Sequence, residues 1–203
     1  MMRAMRAIVV VGRTARADAA VRLDDLPGTS GRLDVLARSV RASLCVSHGI
    51  RRDVRVYLVL LGGASPRTVR IDGAIAKFVR PDERALATSI LKAVARVEVE
   101  EPRFVEQRLG VAVACAGLEA ALDDVRGQPL FVLEENGADV RGEPIGGGVF
   151  VVGDHAGFDD ATRATLEAAG ARAIRVGPTS LHTDDAIAVL HAELDRATPR
   201  ATK

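Results

Sequence analysis

Hydrophobic positions along this chain fall into two alternating periods. Ile8, Val9, Val10 and Val11 form a continuous β-branched run that Gly12 ends, which predicts a strand over residues 5–12 inside a parallel sheet. After a turn-rich stretch, Leu33, Leu36, Val40 and Leu44 recur at helical spacing, so a helix is expected with Asp34, Arg38 and Arg41 off its apolar stripe. Residues 53–61 read as a second strand stopped by Gly62-Gly63, and 68–71 as a short hairpin member before Asp72-Gly73. Asp82, after Pro81, occupies a helix N-cap position ahead of a stripe at Leu86, Ile90, Val94 and Val97. The second half repeats the rhythm, with strands at 111–114, 130–133, 149–152 and 173–176 and helices at 118–125, 159–169 and 184–194. Residues 141–148 read as a loop and 197–203 as a frayed tail. Strands alternating with helices predict an α/β fold, a mostly parallel sheet covered by helices on both faces.

Composition narrows the class. The 203 residues suffice for one sizeable core, and the expectation is a single domain over 1–195 with a disordered tail at 196–203. Hydrophobic residues at 48% and charged residues at 27% suit a folded soluble protein. No apolar stretch approaches the roughly 20 residues of a membrane helix, and no secretory signal is evident, so a cytoplasmic protein without a membrane partner is expected. Cys45 and Cys115 lack C-x-x-C spacing or a histidine cluster, which points to buried thiols and no metal. Charge is uneven: residues 1–55 hold eleven arginines against five acids, whereas 115–170 hold eleven acids against three arginines. Of 28 cations only Lys77, Lys92 and Lys203 are lysine, and arginine suits bidentate phosphate contact and stacking on bases. Genome composition explains the same preference equally well.

Two loops are the chemical candidates. One, Gly153-Asp154-His155-Ala156-Gly157, follows the strand at 149–152; the other, Gly177-Pro178-Thr179-Ser180-Leu181-His182, follows the strand at 173–176. Both leave strand C-termini, where open α/β sheets bind ligands, although ordinary turns between elements satisfy the same pattern. The chain has no G-x-x-x-x-G-K-[ST] and no G-x-G-x-x-G after its first strand, which disfavours a nucleoside triphosphate or a dinucleotide. His155, His182 and His191 lack metal-ligand spacing, and His191 on an apolar helix reads as a hydrogen-bonded structural histidine. No G-x-S-x-G elbow offers a nucleophile, and Cys45 falls on the helix stripe.

The chain as a whole resembles a known family. Leu23-Asp24-Asp25-Leu26-Pro27-Gly28, Gly31-Arg32-Leu33-Asp34-Val35-Leu36-Ala37-Arg38, Ser47-His48-Gly49-Ile50-Arg51-Arg52-Asp53 and Pro81-Asp82-Glu83-Arg84 are similar to the archaeal tRNA pseudouridine N1-methyltransferases, the TrmY family of the SPOUT class. The likeness continues through Val151-Val152-Gly153-Asp154-His155 and Leu181-His182 to Ile187 and His191. It implies a C-terminal trefoil knot, a homodimer, and S-adenosyl-L-methionine held by Leu133, Gly153, Val176, Gly177, Pro178, Thr179, Ser180, Leu181 and position 186. It also implies that Arg32 and Asp34 meet the target nucleotide and that Arg84 contacts RNA. The chain departs from the family at Ala186, where cysteine is usual, and at Asp185, where histidine is usual. It departs again at Cys115-Ala116-Gly117-Leu118, which replaces a basic pair before Gly-Phe.

The implied reaction is methylation of N1 of pseudouridine in RNA, most simply at position 54 of the tRNA T-loop. Asp34 is the catalytic candidate, to accept or orient the N1 proton, with Arg32 holding the base or a phosphate. The alternative for Asp34 is an (i, i+4) surface pair with Arg38, contributing about 0.2–0.5 kcal/mol. Competing readings are a SPOUT enzyme with another RNA target, a non-catalytic RNA-binding relative, and a flavodoxin-like nucleotide-binding module.

Overall fold

The computed structural model describes residues 5–18, 20–77, 79–98 and 100–197. Ten strands and six α-helices occur among them, in the order β1 (Arg6–Gly12), α1 (Leu26–Thr29), α2 (Leu33–Leu44), β2 (Cys45–Val46), β3 (Gly49–Ile50), β4 (Val54–Leu60), β5 (Arg67–Asp72), α3 (Glu83–Ala95), β6 (Val105–Arg108), β7 (Val111–Ala114), α4 (Leu118–Asp124), β8 (Leu130–Asp139), β9 (Gly148–Gly153), α5 (Asp160–Ala168), β10 (Arg172–Arg175) and α6 (Thr183–Ala197). Eight strands form one sheet ordered β10-β8-β9-β1-β4-β5-β7-β6, and β2 with β3 makes a separate antiparallel hairpin.

The sheet is two halves joined at β4. From β10 to β4 every pairing is parallel, and from β4 to β6 every pairing is antiparallel. The parallel half holds the uninterrupted apolar runs because its strands are covered on both faces. Along β1, Ile8 and Val10 join a core with Leu36 and Val40 of α2, Leu86 and Ile90 of α3, and Ile187 and Leu190 of α6. Ala7, Val9 and Val11 face the opposite way, toward Leu118 and Ala121 of α4 and Leu166 of α5. The two-sided covering read from the sequence is therefore what forms.

Most predicted elements lie within one or two residues of the observed ones. Asp82 accepts from the backbone N–H of Ala85, and Asp159 caps α5 through Thr162 in the same way. Three features were not legible. The edge strand β6 (Val-Glu-Gln-Arg) carries no apolar run, since only one of its edges is paired and its side chains face solvent or lie half-buried. Cys45 ends α2 rather than belonging to its stripe, and both cysteines are half-buried free thiols rather than buried ones. Finally, α6 continues through Arg196 and Ala197, two residues into the expected tail; residues 198–203 lie outside the described ones.

The start of α2 depends on Gly31. Its φ is +59°, and a Cβ there would fall 1.7 Å from the carbonyl oxygen of Thr14. We expect Gly31→Ala to lower the melting temperature by about 10 °C, because left-handed strain and a backbone clash together cost about 3 kcal/mol. Thermal unfolding followed by circular dichroism checks this; an unchanged transition would mean that the close approach is not maintained in solution.

Candidate functional site

A cavity of about 1120 Å³ opens at the C-terminal ends of β9 and β10 and beside the middle of β8. Its wall is made by an irregularity in β8. The ladder with β10 jumps from Ala173 opposite Val132 to Ile174 opposite Ala138, so the intervening residues of β8 leave the regular pairing. Leu133, Glu134, Glu135 and Asn136 from that excursion line the cavity. Gly137 permits the return, since a Cβ there would come within 2.5 Å of the Ile174 nitrogen, and its carbonyl accepts from Arg175.

The second wall is the loop after β9. Asp154 is buried, and its carboxylate accepts from the backbone N–H of Arg13 at 3.0 Å and of Ala156 at 2.8 Å. These bonds tie the glycine loop to the end of β1. The third wall is the loop after β10, in which Pro178, Thr179, Ser180 and Leu181 are exposed while Val176 and Gly177 are half-buried. Thr183, at the start of α6, donates its hydroxyl to the Gly153 carbonyl at 2.9 Å and so fixes the third wall to the second. Every residue expected to hold the cofactor lines this one cavity: Leu133, Gly153, Val176, Gly177, Pro178, Thr179, Ser180, Leu181 and Ala186. Ala186 is 8% exposed and contributes a methyl group to the lining.

Arg32 also lines the cavity, from the N-terminus of α2. Among the described residues it is the one non-glycine with positive φ, at 71°, a conformation costing about 1–2 kcal/mol. Ser30, rather than the N-cap residue, accepts the Leu33 N–H. The Arg32 side chain grips Asp34, donating from Nε to Oδ1 at 3.0 Å and from Nη2 to Oδ2 at 3.1 Å. Arg38 Nη1 donates to the same Oδ2 at 2.9 Å. Only 3% of the Asp34 side chain is exposed, so the pair with Arg38 is not a surface one. Burial pushes the Asp34 carboxyl up, but the two guanidinium groups outweigh it and hold the group below the usual carboxylate range. Asp34 lies behind the lining, whereas Arg84 is exposed in the first turn of α3 and does not line the cavity.

Several residues were not found by reading the sequence. Glu134, Glu135 and Asn136 directly follow the apolar run at 130–133 within β8, and that abrupt polar stretch was an available signal. Arg38 was visible only as a surface partner. His191 is the structural histidine expected: 2% exposed, it takes Arg6 Nη1 at 3.4 Å from its Nδ1. The altered segment at 115–118 follows β7, which three strands separate from β9, a span of about 19 Å, so it removes nothing from the cavity. Among the described residues no helix is long and apolar enough to cross a membrane, and no group of three or more His, Cys, Asp or Glu residues is placed to hold a metal.

A cavity of mixed polar and apolar lining, built on the glycine loops after β9 and β10 and next to Arg32 and Arg38, suits an adenosine-type cofactor beside a nucleic-acid substrate. The chain belongs to the family described as putative SAM-dependent RNA methyltransferases, whose model matches residues 5–198. S-adenosylmethionine is the cofactor of that family. A relative from Methanosarcina acetivorans, the tRNA (pseudouridine(54)-N(1))-methyltransferase, is 41% identical over 196 residues, covering 95% of this chain and 92% of its own. One of the same name from Halobacterium salinarum is 43% identical, covering 95% and 97%. The crystal structure of Archaeoglobus fulgidus Nep1 bound to S-adenosylhomocysteine shares the fold, with a TM-score of 0.65 at 16% identity over 97% of this chain and 99% of its own. The expected SPOUT-type α/β architecture is thus the one adopted.

Proposed function

We propose that this protein methylates N1 of pseudouridine in RNA, with position 54 of the tRNA T-loop as the target. The observation that carries this reading is that one cavity joins the loops at 153–157 and 176–181 to the Arg32–Asp34 pair. The names of relatives 41% and 43% identical over almost the whole chain support the same target. Pseudouridine is joined to its ribose through carbon, so N1 carries a proton and becomes a nucleophile when that proton leaves.

S-adenosylmethionine, when bound, supplies an electrophilic methyl group. The loop residues Val176 to Leu181 and the wall at Leu133 and Gly153 hold it through backbone groups and apolar packing. Arg32 receives the base or its phosphate. Asp34, ionised and engaged by two guanidiniums, is better suited to orienting Arg32 and the N1–H than to storing a proton, since an efficient base has a pKa near the working pH. The exposed Arg84 adds an RNA contact outside the cavity, and an unstacked loop nucleotide enters at modest cost.

We further propose that residues 1–195 act as one domain and as a homodimer in the cytoplasm, without a metal, and that the C-terminal segment is threaded as a trefoil knot. Support for the threading is topological: β10 lies at the sheet edge beyond β8, yet α6 returns across β8 and β9 to pack on α2 beside β1. The test is calorimetry with S-adenosylmethionine, followed by methyl transfer to tRNA carrying either pseudouridine or uridine at position 54. Binding with transfer only to the pseudouridine tRNA is expected. Transfer to neither, or to both equally, overturns the assigned target.

A further inference from the structure

Three helices begin beside the cavity, and each carries an acid in its first turn: Asp34 on α2, Glu83 on α3 and Asp184 on α6. Acids at these positions offset the positive ends of the helix dipoles, which would otherwise repel one another where the helices converge. One side chain meets all three. Arg38 Nη1 donates to Asp34 Oδ2 at 2.9 Å and to Glu83 Oε2 at 3.3 Å, while Nε lies 3.6 Å from Asp184 Oδ2. The guanidinium lines the cavity and is 34% exposed.

Each carboxylate belongs to a different part of the site. Asp34 is the partner of Arg32, Glu83 precedes the exposed Arg84, and Asp184 follows the loop at 176–182 in the first turn of α6, the helix that carries Ala186. We infer that Arg38 is a positioning residue that couples the two halves of the site, fixing the start of the cofactor-side helix α6 against the RNA-side helices α2 and α3. This rests on the reading of the cavity as a cofactor site next to an RNA site. Its consequence is thermodynamic: ordering of one half by its ligand favours the arrangement the other half needs, and the effect is reciprocal. A guanidinium can reach three carboxylates through separate N–H groups in a fixed plane, which a lysine ammonium on a flexible stem does not reproduce.

The test is titration of S-adenosylhomocysteine into the full chain with and without saturating pseudouridine-containing tRNA, for the native protein, Arg38→Gln, Arg38→Lys, Asp184→Asn and the Arg38→Gln/Asp184→Asn double variant. In the native protein tRNA is expected to tighten binding about tenfold, within the usual range for coupled sites. Arg38→Gln and Asp184→Asn should each reduce that factor to about twofold. The double variant should lose no more than either single one, and lysine should restore only part of the effect. Asp184→Asn keeps the buried Asp34 pairings intact, so it reports even where Arg38→Gln folds poorly. Tenfold coupling that survives in both single variants, or its absence from the native protein, overturns the inference. Failure of the native protein to bind S-adenosylhomocysteine at all would instead remove the functional reading.

Discussion

Asp34→Asn is expected to lower kcat/KM for methylation of pseudouridine-containing tRNA by about 100-fold, the scale set by misplacing a reacting group by about an ångström. The carboxylate is 3% exposed and holds Arg32 and Arg38 together, so asparagine leaves two guanidiniums facing a neutral amide. Because both arginines are about one-third exposed, water screens much of the charge lost, and the stability cost should be only about 2 kcal/mol. Folding should therefore survive while alignment does not.

The pH profile separates orienting from proton accepting. With its pKa held below the carboxylate range, Asp34 stays ionised from pH 5 to 9 and contributes no inflection there. If it orients Arg32 and the N1–H, the variant's log kcat against pH should run parallel to the native curve, displaced downward. A variant profile that steepens toward alkaline pH would mean that Asp34 takes the proton and that hydroxide replaces it. Full activity in Asp34→Asn would remove the residue from the mechanism altogether.

The second large effect is a loss of stability in mild acid, centred on His191. The ring is 2% exposed; burial first, then the charges of Arg51 and Arg6, push its pKa down to about 3, against a smaller opposing pull from Asp195. The folded pKa lies below the unfolded value of 6.5, so between these limits the unfolded chain binds a proton that the folded chain refuses. Stability is then fully present above about pH 6.5 and falls as pH drops, by up to about 1.4 kcal/mol per unit and roughly 3 kcal/mol by pH 4. Asp195 acts lower. Burial raises its carboxyl, but hydrogen bonds from Arg51 and Arg6 bring it to about 2, so its contribution is kept above pH 3.8 and lost as pH falls toward 2. Urea midpoints measured at fixed protein concentration between pH 7.5 and 4.5 should fall for the native protein and stay nearly level for His191→Gln. A native midpoint that does not move over that range would show that His191 is not held neutral.

Alternating apolar periods were enough to place β1, α2, β4, α3 and the later helices and strands other than β6 and the far half of β8, because burial on both faces of a parallel sheet imposes one requirement residue by residue. The loops after β9 and β10 were legible for a similar local reason: glycines gather where strands end and the chain must turn sharply. The cofactor set came from resemblance, and it converges in space as a single lining. The sequence by itself thus determined the fold class, the two glycine loops and, through likeness, the family.

Three things were settled only by tertiary structure. The polar run Glu134-Glu135-Asn136 becomes a cavity wall because β10 pairs with β8 on both sides of an irregularity, and that register depends on a strand some forty residues away in the chain. Asp34 and Arg38 look like an ordinary (i, i+4) surface pair in one dimension. They become part of a shared ionic cluster around the buried Asp34 when α3 and α6 bring their own acidic first turns to the same point. His191 is apolar-patterned in sequence, and the cations that hold its pKa down, Arg6 and Arg51, lie 185 and 140 residues earlier. Hydrophobic periodicity reports how each residue meets a layer, whereas charge interactions depend on distances between layers, which only the folded chain defines.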